Sequence, residues 1–390
     1  MRYSSFASRI GGEGSDAWDV HVKAAAAQRA GRDVVVMSVG DPDFDTPPAV
    51  RDTAIAALQA GDTHYTDVEG TPELRAEIAR TFKALAGWDV TADNVCVVAG
   101  TQNGLYFAAS LLCEPGEEVL VLDPCYVTYD STIRASGAVP VRVAPHPDGG
   151  FRPDIKALAS AITPATRAIL ITTPNNPTGT VLTKDELEAI ADLAKRHDLW
   201  VISDEVYAQL TFESPNVSIS ALPGMKERTV TVASLSKSHA MTGWRAGWVV
   251  APEEFIAHAS NLSLCMLYGL PGFVQQAAVT ALQQSPKIIG EMREVYRARR
   301  DILYSALEDI PGLTPFRPEA GMFLMAHVAG TGLTSSQFVH RLYEEQGVSV
   351  LDGAAFGPSA SGYVRLSYTT HEEALQEGAK RIRAFCETLA

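Results

Sequence analysis

The stretch Ser234-Leu-Ser-Lys-Ser-His-Ala-Met-Thr-Gly-Trp-Arg245 follows Arg228-Thr-Val-Thr-Val-Ala-Ser234, a run of β-branched residues that predicts a buried strand. The strand leads a single lysine, Lys237, into a turn of small and hydroxylated residues. A lysine in a partly desolvated turn has a lowered pKa and acts as an amine nucleophile or proton carrier. Serine hydroxyls and Arg245 suit a phosphate held near that amine. Together these residues predict a phosphorylated aldehyde bound as an imine, which is pyridoxal 5'-phosphate (PLP).

The same letters allow two other interpretations. One is a solvated loop with ordinary charges. The other is S-x-x-K, the serine nucleophile motif of β-lactamases and penicillin-binding proteins, which Ser234-Leu-Ser-Lys237 fits. That motif needs the partners S-D-N and K-T-G, and neither occurs in the chain. A serine acyl-enzyme hydrolase that uses Ser234 and Lys237 is therefore a distant alternative.

Composition excludes several classes of protein. The 390 residues are 46% apolar and 20% charged, which is typical of a globular chain with ample core material. The net charge of −14 argues against nucleic acid or an anionic membrane as the main partner. The acidic chain also has no basic segment that could bind DNA, which argues against a non-catalytic regulator with a PLP-binding fold.

The spacing of the cysteines indicates the redox state of the compartment, and the spacing of the histidines indicates whether the chain binds a metal. The five cysteines lie far apart without a C-x-x-C pair, which predicts reduced thiols in a cytoplasmic protein. The nine histidines show no paired ligand spacing, so no metal is expected. The first residues lack the apolar core of a signal peptide, and no apolar run approaches the ~20 residues of a membrane-spanning helix. These features predict a soluble protein that is not exported.

The middle of the chain alternates between strand and helix patterns for about 200 residues. Such alternation predicts an α/β large domain with a mostly parallel sheet flanked by helices. Gly100-Thr-Gln-Asn-Gly104 joins a predicted strand to a helix, and the free N–H groups of a helix start favour a phosphate. Asp204 follows another strand, at the edge where open α/β sheets bind ligands.

The last third of the chain reads as a smaller α+β unit. It carries a charged helix from Lys287 to about Glu308 and three predicted strands, at 321–325, 348–351 and 362–368. The N-terminal arm is its expected partner, so this small domain is discontinuous. We predict an arm with part of the small domain at 1–45, a large PLP-binding domain at 46–283 and a small C-terminal domain at 284–390.

Six motifs occur in one order along the chain: Gly100-Thr-Gln, Tyr126, Asn176-Pro-Thr-Gly179, Asp204-Glu-Val-Tyr207, Ser-Leu-Ser-Lys237 with Arg245, and Tyr-Val-Arg365. This set resembles the class I/II aminotransferases of PLP fold type I over essentially the whole chain. Further stretches, among them Ala17-Trp-Asp19 and Leu264-Cys-Met-Leu-Tyr-Gly269, resemble arginine–pyruvate transaminases. The resemblance implies a ping-pong aminotransferase that takes L-arginine as donor and pyruvate as acceptor. An aspartate- or aromatic-type aminotransferase with 2-oxoglutarate is the near alternative.

The resemblance also implies roles for individual residues. Lys237, Asp204 and Tyr207 would be catalytic: Lys237 as the Schiff-base lysine and general base, Asp204 as partner of the pyridine nitrogen, and Tyr207, with Asn176, as hydrogen-bond partner of the ring oxygen. Tyr126 would stack on the ring, where many relatives have Trp. The phosphate would be held by Gly100, Thr101, Gln102, Ser234, Ser236 and Arg245.

Substrate and subunit contacts complete these expectations. Arg365 would clamp the substrate α-carboxylate, with Gly40 beside it and Asn176 nearby. Tyr65 would reach the phosphate of the neighbouring subunit, which implies a homodimer with shared sites. A guanidinium on the donor should meet a carboxylate or an aromatic face. The candidates for this contact are Glu13, Asp16, Trp18, Asp19 and Tyr268.

Overall fold

The computed structural model describes residues 1–10, 18–147 and 149–389. Helices and strands alternate through the middle of this chain, as the sequence predicts. The helices are α1 (Ser5–Arg9), α2 (Asp19–Arg29), α3 (Pro48–Gln59), α4 (Pro72–Ala86), α5 (Thr101–Leu112), α6 (Tyr129–Ser136), α7 (Ile155–Ala161), α8 (Lys184–Arg196), α9 (Glu253–Met266), α10 (Gly272–Gln283), α11 (Ser285–Leu307), α12 (Ser335–Gln346) and α13 (Glu372–Glu387). The strands are β1 (Val35–Val36), β2 (Val95–Ala99), β3 (Glu118–Leu122), β4 (Val139–Val143), β5 (Thr166–Thr172), β6 (Trp200–Asp204), β7 (Thr229–Ser234), β8 (Ala246–Val250), β9 (Thr314–Phe316), β10 (Phe323–His327), β11 (Val348–Ser349), β12 (Leu351–Asp352) and β13 (Tyr363–Ser367).

A seven-stranded sheet forms the centre, in the order β2-β8-β7-β6-β5-β3-β4. Strand β8 runs antiparallel to both of its neighbours, and the remaining pairings are parallel. Successive side chains of a strand point to opposite faces, so β5 buries Ala168 and Leu170 in one core cluster and Ile169 and Ile171 in another. Helices α5, α6 and α9 supply the first cluster, and α7 and α8 supply the second. The predicted α/β architecture is confirmed.

The parallel direction of the strands decides where the site lies. Strands β2, β5, β6 and β7 end at one edge of the sheet because they point the same way. Asp204 ends β6, and the turns that follow β2, β5 and β7 carry Gly100, Asn176 and Lys237. Residues spread over some 140 positions of sequence therefore meet at this edge.

The C-terminal part forms a second, antiparallel sheet, in the order β12-β13-β10-β9. Strand β1 pairs in parallel with β11, with Val35 opposite Val348, and joins the N-terminal segment to this part of the chain. The N–H of Ser367 then donates to the carbonyl of Met37 at 2.7 Å. The segment after β1 is thus held against β13, which carries Arg365. The division into domains at 45 and 283 stays a prediction.

Two strands differ from what the sequence predicts. The strand expected at 348–351 divides into β11 and β12, which join different sheets. Strand β4 is not predicted, because its sequence, Val-Pro-Val-Arg-Val, contains a proline. Its Pro140 removes a ladder donor, which an edge strand such as β4 tolerates. In the described residues no helix is long and apolar enough to cross a membrane.

Candidate active site

A cavity of about 470 Å³ opens at the carboxyl edge of the large sheet. Its size is typical of small-molecule sites. It is lined by twelve of the residues that the sequence singles out: Gly40, Thr101, Gln102, Tyr126, Asn176, Asp204, Tyr207, Ser234, Ser236, Lys237, Arg245 and Arg365. Trp18, a candidate for substrate contact, lines it as well. The predicted residues therefore converge on one place.

Lys237 lies in the turn after β7 and reaches into the cavity. Its Nζ donates to the carbonyl of Gly40 at 2.7 Å. Burial lowers the pKa of Lys237 to about 8, because an ammonium loses hydration there, while the charge of Asp41 acts to raise it. The serine hydrolase alternative requires a lysine directed at Ser234, whereas the Ser234 hydroxyl accepts from Thr101 and the backbone of Ser236.

The start of α5 and the turn before β8 form a cradle at one end of the cavity. Gly100 precedes α5 with φ of 79°, and a Cβ at this position would lie 2.3 Å from Nη2 of Arg245. A side chain here would displace the guanidinium from the helix start, and the positive φ itself favours glycine. Arg245 itself adopts φ of 55° and donates through Nη1 to the carbonyl of Thr242 at 2.7 Å. Helix N–H groups, the hydroxyls of Thr101 and Ser234, and this guanidinium together suit a phosphate.

Asp204 ends β6 in a buried, fully hydrogen-bonded position. Its Oδ2 accepts from the phenol of Tyr129 at 2.7 Å, and its Oδ1 accepts from the backbone of Val206 at 3.1 Å. Thr172 contacts the same phenol at 2.7 Å. Burial raises the pKa of Asp204 to about 6, while the two hydrogen bonds favour its ionised form and oppose that rise. Sequence reasoning missed Tyr129, since nothing local links it to Asp204.

Tyr207 and Tyr126 supply aromatic walls near this carboxylate. Burial raises the pKa of both phenols, so both stay protonated at neutral pH and can donate hydrogen bonds. Asn176 lies close to Tyr207, and its side-chain oxygen accepts from Arg365 at 2.9 Å. The cavity thus presents neutral donors and aromatic faces around its middle.

Arg365 is the most buried cation of the cavity, with 2% of its surface exposed. Nη1 donates to Asn176 and Nη2 to the carbonyl of Ser38, both at 2.9 Å. Its Cζ lies 3.9 Å from the ring centre of Phe323 and 4.7 Å from that of Phe356. Burial lowers the pKa of Arg365 to about 10, and Nε has no hydrogen-bond partner among the described residues. A buried guanidinium with an unused donor fits an anionic ligand such as a carboxylate.

Comparisons with known proteins agree with this geometry. The family model for class I and II aminotransferases matches residues 32–382. The chain belongs to the class I and II aminotransferases. An arginine–pyruvate transaminase of Pseudomonas aeruginosa is 49% identical over 386 residues, covering 99% of this chain and 98% of that protein. An aspartate aminotransferase of Pyrococcus horikoshii is 37% identical over 357 residues, 91% of each chain.

Solved aminotransferase structures share the fold. An aspartate aminotransferase from Thermus thermophilus, solved with maleate, superposes with a TM-score of 0.93 at 36% identity and covers 98% of this chain and 100% of its own. The aspartate aminotransferase of Rhizobium meliloti gives a TM-score of 0.94 at 32% identity, with 99% of both chains covered. The predicted family and its PLP fold type I architecture are confirmed, and this chain is an aminotransferase.

Members of this family use PLP, and the cavity of this aminotransferase fits that group. The glycine-lined cradle at Gly100 and Arg245 suits its phosphate, and the carboxylate of Asp204 suits its pyridine nitrogen. Lys237 provides an amine of lowered pKa in the same cavity. Among the described residues no cluster of His, Cys, Asp or Glu could hold a metal ion.

Several predicted residues of the aminotransferase do not line the cavity of their own chain. Tyr65 is 85% exposed and packs against Tyr268, with ring centres 4.8 Å apart. Asp19 lies in the first turn of α2, outside the lining. Glu13 and Asp16 lie outside the described residues. Conversely, Asp41, Tyr129 and Phe323 line the cavity although the sequence did not single them out.

Proposed function

We propose that this aminotransferase moves the α-amino group of L-arginine to pyruvate in a ping-pong cycle with PLP, giving 5-guanidino-2-oxopentanoate and alanine. The observation that carries the proposal is the 49% identity over nearly the full length to a protein named arginine–pyruvate transaminase. The alternative of an aspartate-type enzyme needs a further cation for a second carboxylate. The described cations that line the cavity are Lys237, Arg245 and Arg365. In the proposed roles they serve the reacting carbon, the cofactor phosphate and the α-carboxylate, respectively.

The proposed roles follow from the chemistry of each position. When bound, PLP supplies the aldehyde that takes the amino group and the ring that accepts the electrons released at the donor Cα. Lys237, with its lowered pKa, removes and returns the proton at that carbon. Asp204 would pair with the protonated pyridine nitrogen of PLP and stay ionised there, because a neighbouring cation lowers the pKa of a carboxyl group.

Other residues bind and orient. Arg365 binds the α-carboxylate of donor and acceptor in turn, with Gly40 and Asn176 beside it. Tyr126 would pack on the ring face of PLP, and Tyr207 and Asn176 would donate to its ring oxygen. The phosphate would be held by Gly100, Thr101, Gln102, Ser234, Ser236 and Arg245.

We also propose a cytoplasmic homodimer in which Tyr65 completes the partner's phosphate site. Two observations support a subunit contact here. Tyr65 lies outside the cavity of its own chain and packs against Tyr268, and the apolar side chains Leu264, Met266 and Tyr268 at and after the end of α9 are exposed. Exposed apolar surface of this kind marks contact with a partner. The five cysteines are free thiols, which suits a reducing compartment.

The test is the absorption spectrum of the purified protein before and after L-arginine is added without any keto acid. The proposal expects a yellow cofactor band that bleaches with arginine and returns on addition of pyruvate. A band that ignores arginine but bleaches with another amino acid would overturn the substrate. A protein that shows no band after incubation with PLP would overturn the cofactor. Lys237→Ala should lose the band, whereas Lys184→Ala, on the exposed face of α8, should keep it.

A further inference from the structure

The charges of the cavity leave one end of an arginine donor without a partner. Arg365 meets the α-carboxylate, and Lys237 and Arg245 lie at the reacting carbon and the phosphate. All three are cations, and the guanidinium at the far end of an arginine side chain is also a cation, so none of them can pair with it. A guanidinium that leaves water needs a carboxylate or an aromatic face to offset its lost hydration. The described lining contains two carboxylates, and one of them, Asp204, is buried and accepts from Tyr129.

The other carboxylate, Asp41, has the required position. Its neighbours Ser38 and Gly40 accept hydrogen bonds from Arg365 and Lys237 through their carbonyl oxygens. The backbone from 38 to 40 therefore runs along the cavity between the carboxylate clamp and the base. Asp41 is the next residue; it lines the cavity and is exposed to solvent. Because Arg365 is buried and Asp41 is exposed, we expect the side chain of a donor held by Arg365 to extend toward Asp41.

Asp41 is also free to bind a ligand. It forms no hydrogen bond or ion pair within the described part of the chain, although its charge acts on Lys237. Asp43, two residues on, is engaged by both terminal nitrogens of Arg299, at 2.7 and 2.9 Å. The loop thus uses one aspartate to fasten itself to α11 and leaves another unpaired at the cavity.

Trp18 supplies an aromatic surface at the same cavity. It caps the start of α2, is partly buried, and packs edge-on against His21 with ring centres 5.6 Å apart. An indole face is the strongest aromatic partner for a guanidinium. A carboxylate and an indole that line one cavity offer a planar cation both an ion pair and a stacking surface.

We propose that Asp41 and Trp18 form the subsite that recognises the guanidinium of the donor side chain. This inference rests on the proposed function, since it assumes a cationic donor. Loss of a hydrogen bond between charged groups costs about 1.5–3 kcal/mol, so removal of the Asp41 charge should lower kcat/KM for arginine by roughly 10- to 100-fold. The kcat/KM for donors whose side chain carries no positive charge should change little.

The test compares L-arginine with L-citrulline, its neutral isostere, as donors for wild type and Asp41→Asn. The expected result is a 10- to 100-fold fall in kcat/KM for arginine with little change for citrulline. Asp45→Asn is the matched control, because Asp45 lies in the same loop without lining the cavity. An equal fall in kcat/KM with both donors would overturn the subsite and show that Asp41 acts through its charge on Lys237 instead.

A binding measurement supplies a second readout that needs no turnover. Calorimetry of the holoenzyme compares 5-guanidinopentanoate with 5-ureidopentanoate, two analogues that lack the α-amine. The wild-type protein should bind the guanidine more tightly than the urea. Asp41→Asn and Trp18→Leu should reduce this preference, and Trp18→Phe should largely keep it. A preference unchanged in Asp41→Asn would overturn the proposal. Failure of wild type to use arginine at all would instead overturn the proposed function.

Discussion

The phenolic O–H of Tyr129 donates to Oδ2 of Asp204 at 2.7 Å, across 75 positions of sequence. Both side chains are buried, and the bond counteracts the desolvation that raises the pKa of Asp204. Tyr129 begins α6, whereas Asp204 ends β6. A residue remote in sequence therefore holds the carboxylate in its orientation and favours its charge.

Tyr129→Phe removes this donor while keeping the ring. Loss of a hydrogen bond to the ionised form raises the pKa of Asp204, so the acid limb of the kcat/KM profile should move to higher pH. We expect kcat to fall about tenfold, as for loss of one charge-assisted hydrogen bond. Tyr296→Phe is the matched control, because the buried Tyr296 hydroxyl has no hydrogen-bond partner among the described residues. An unchanged pH profile in Tyr129→Phe would refute the role.

The pKa of Lys237 is open to direct measurement in the apoprotein. Burial disfavours the ammonium, so the amine should be half protonated near pH 8 and mostly neutral above it. Competitive acetylation as a function of pH, followed by mass spectrometry, gives the midpoint. Asp41→Asn should lower that midpoint, since the charge of Asp41 raises the pKa of Lys237. A midpoint above pH 10 would show that the lysine is not desolvated.

Arg365→Lys tests the carboxylate clamp. A lysine keeps the charge but cannot reproduce two parallel donors or the stacking between Phe323 and Phe356. We expect kcat/KM for arginine to fall by about 100-fold, consistent with 1.5–3 kcal/mol for a charged hydrogen bond. Arginine amide, which lacks the carboxylate, should be a poor donor for both proteins and should show little further loss. An equal loss for acid and amide would place the carboxylate elsewhere.

The resemblance of the ordered motifs to a known family accounts for much of this site, and topology explains why. Gly100, Asn176 and Lys237 each follow a strand and Asp204 ends one, and strands that run the same way end at one edge of the sheet. Each of these residues also carries a local signal, such as the hydroxyl-rich turn around Lys237. The sheet could therefore be expected to bring them together.

The residues that were missed lack such a signal. Tyr129 follows a loop, and its partner Asp204 lies on another element. Phe323 reads as an ordinary core residue of β10, and its contact with Arg365 depends on the pairing of β10 with β13. Asp41 looks like one of three alternating aspartates, and only the packing of Asp43 on Arg299 shows which of them is paired. Contacts between elements decide these roles, and local patterns do not report them.

Gly40→Ala tests how closely the N-terminal segment packs on the clamp. A Cβ at Gly40 would lie 2.1 and 2.3 Å from two ring atoms of Phe323, whose ring covers Arg365. Overpacking of this kind costs about 1–3 kcal/mol, so we expect KM for donor and acceptor to rise roughly tenfold. The double variant Gly40→Ala/Phe323→Leu should recover part of the loss. Gly290→Ala, a helical position without close neighbours, should instead stabilise the fold by about 0.5–1 kcal/mol.

Tyr65 allows a test of the shared site by subunit mixing. If Tyr65 serves the partner, Tyr65→Ala and Lys237→Ala homodimers each contain two defective sites. A mixed dimer contains one intact site, built from Lys237 of one chain and Tyr65 of the other. Reassembly of an equal mixture should therefore restore about a quarter of wild-type activity, because half of the dimers are mixed and half of their sites are intact.

Mixing Lys237→Ala with Asp204→Ala is the matched control. Both of these side chains line the cavity of their own chain, so every site in such a mixture lacks one of them and no activity should return. Recovery in the first mixture alone would assign Tyr65 to the neighbouring site. If neither mixture recovers although mass measurements show mixed dimers, Tyr65 serves no site across the interface, and its exposed ring contributes to subunit packing with Tyr268.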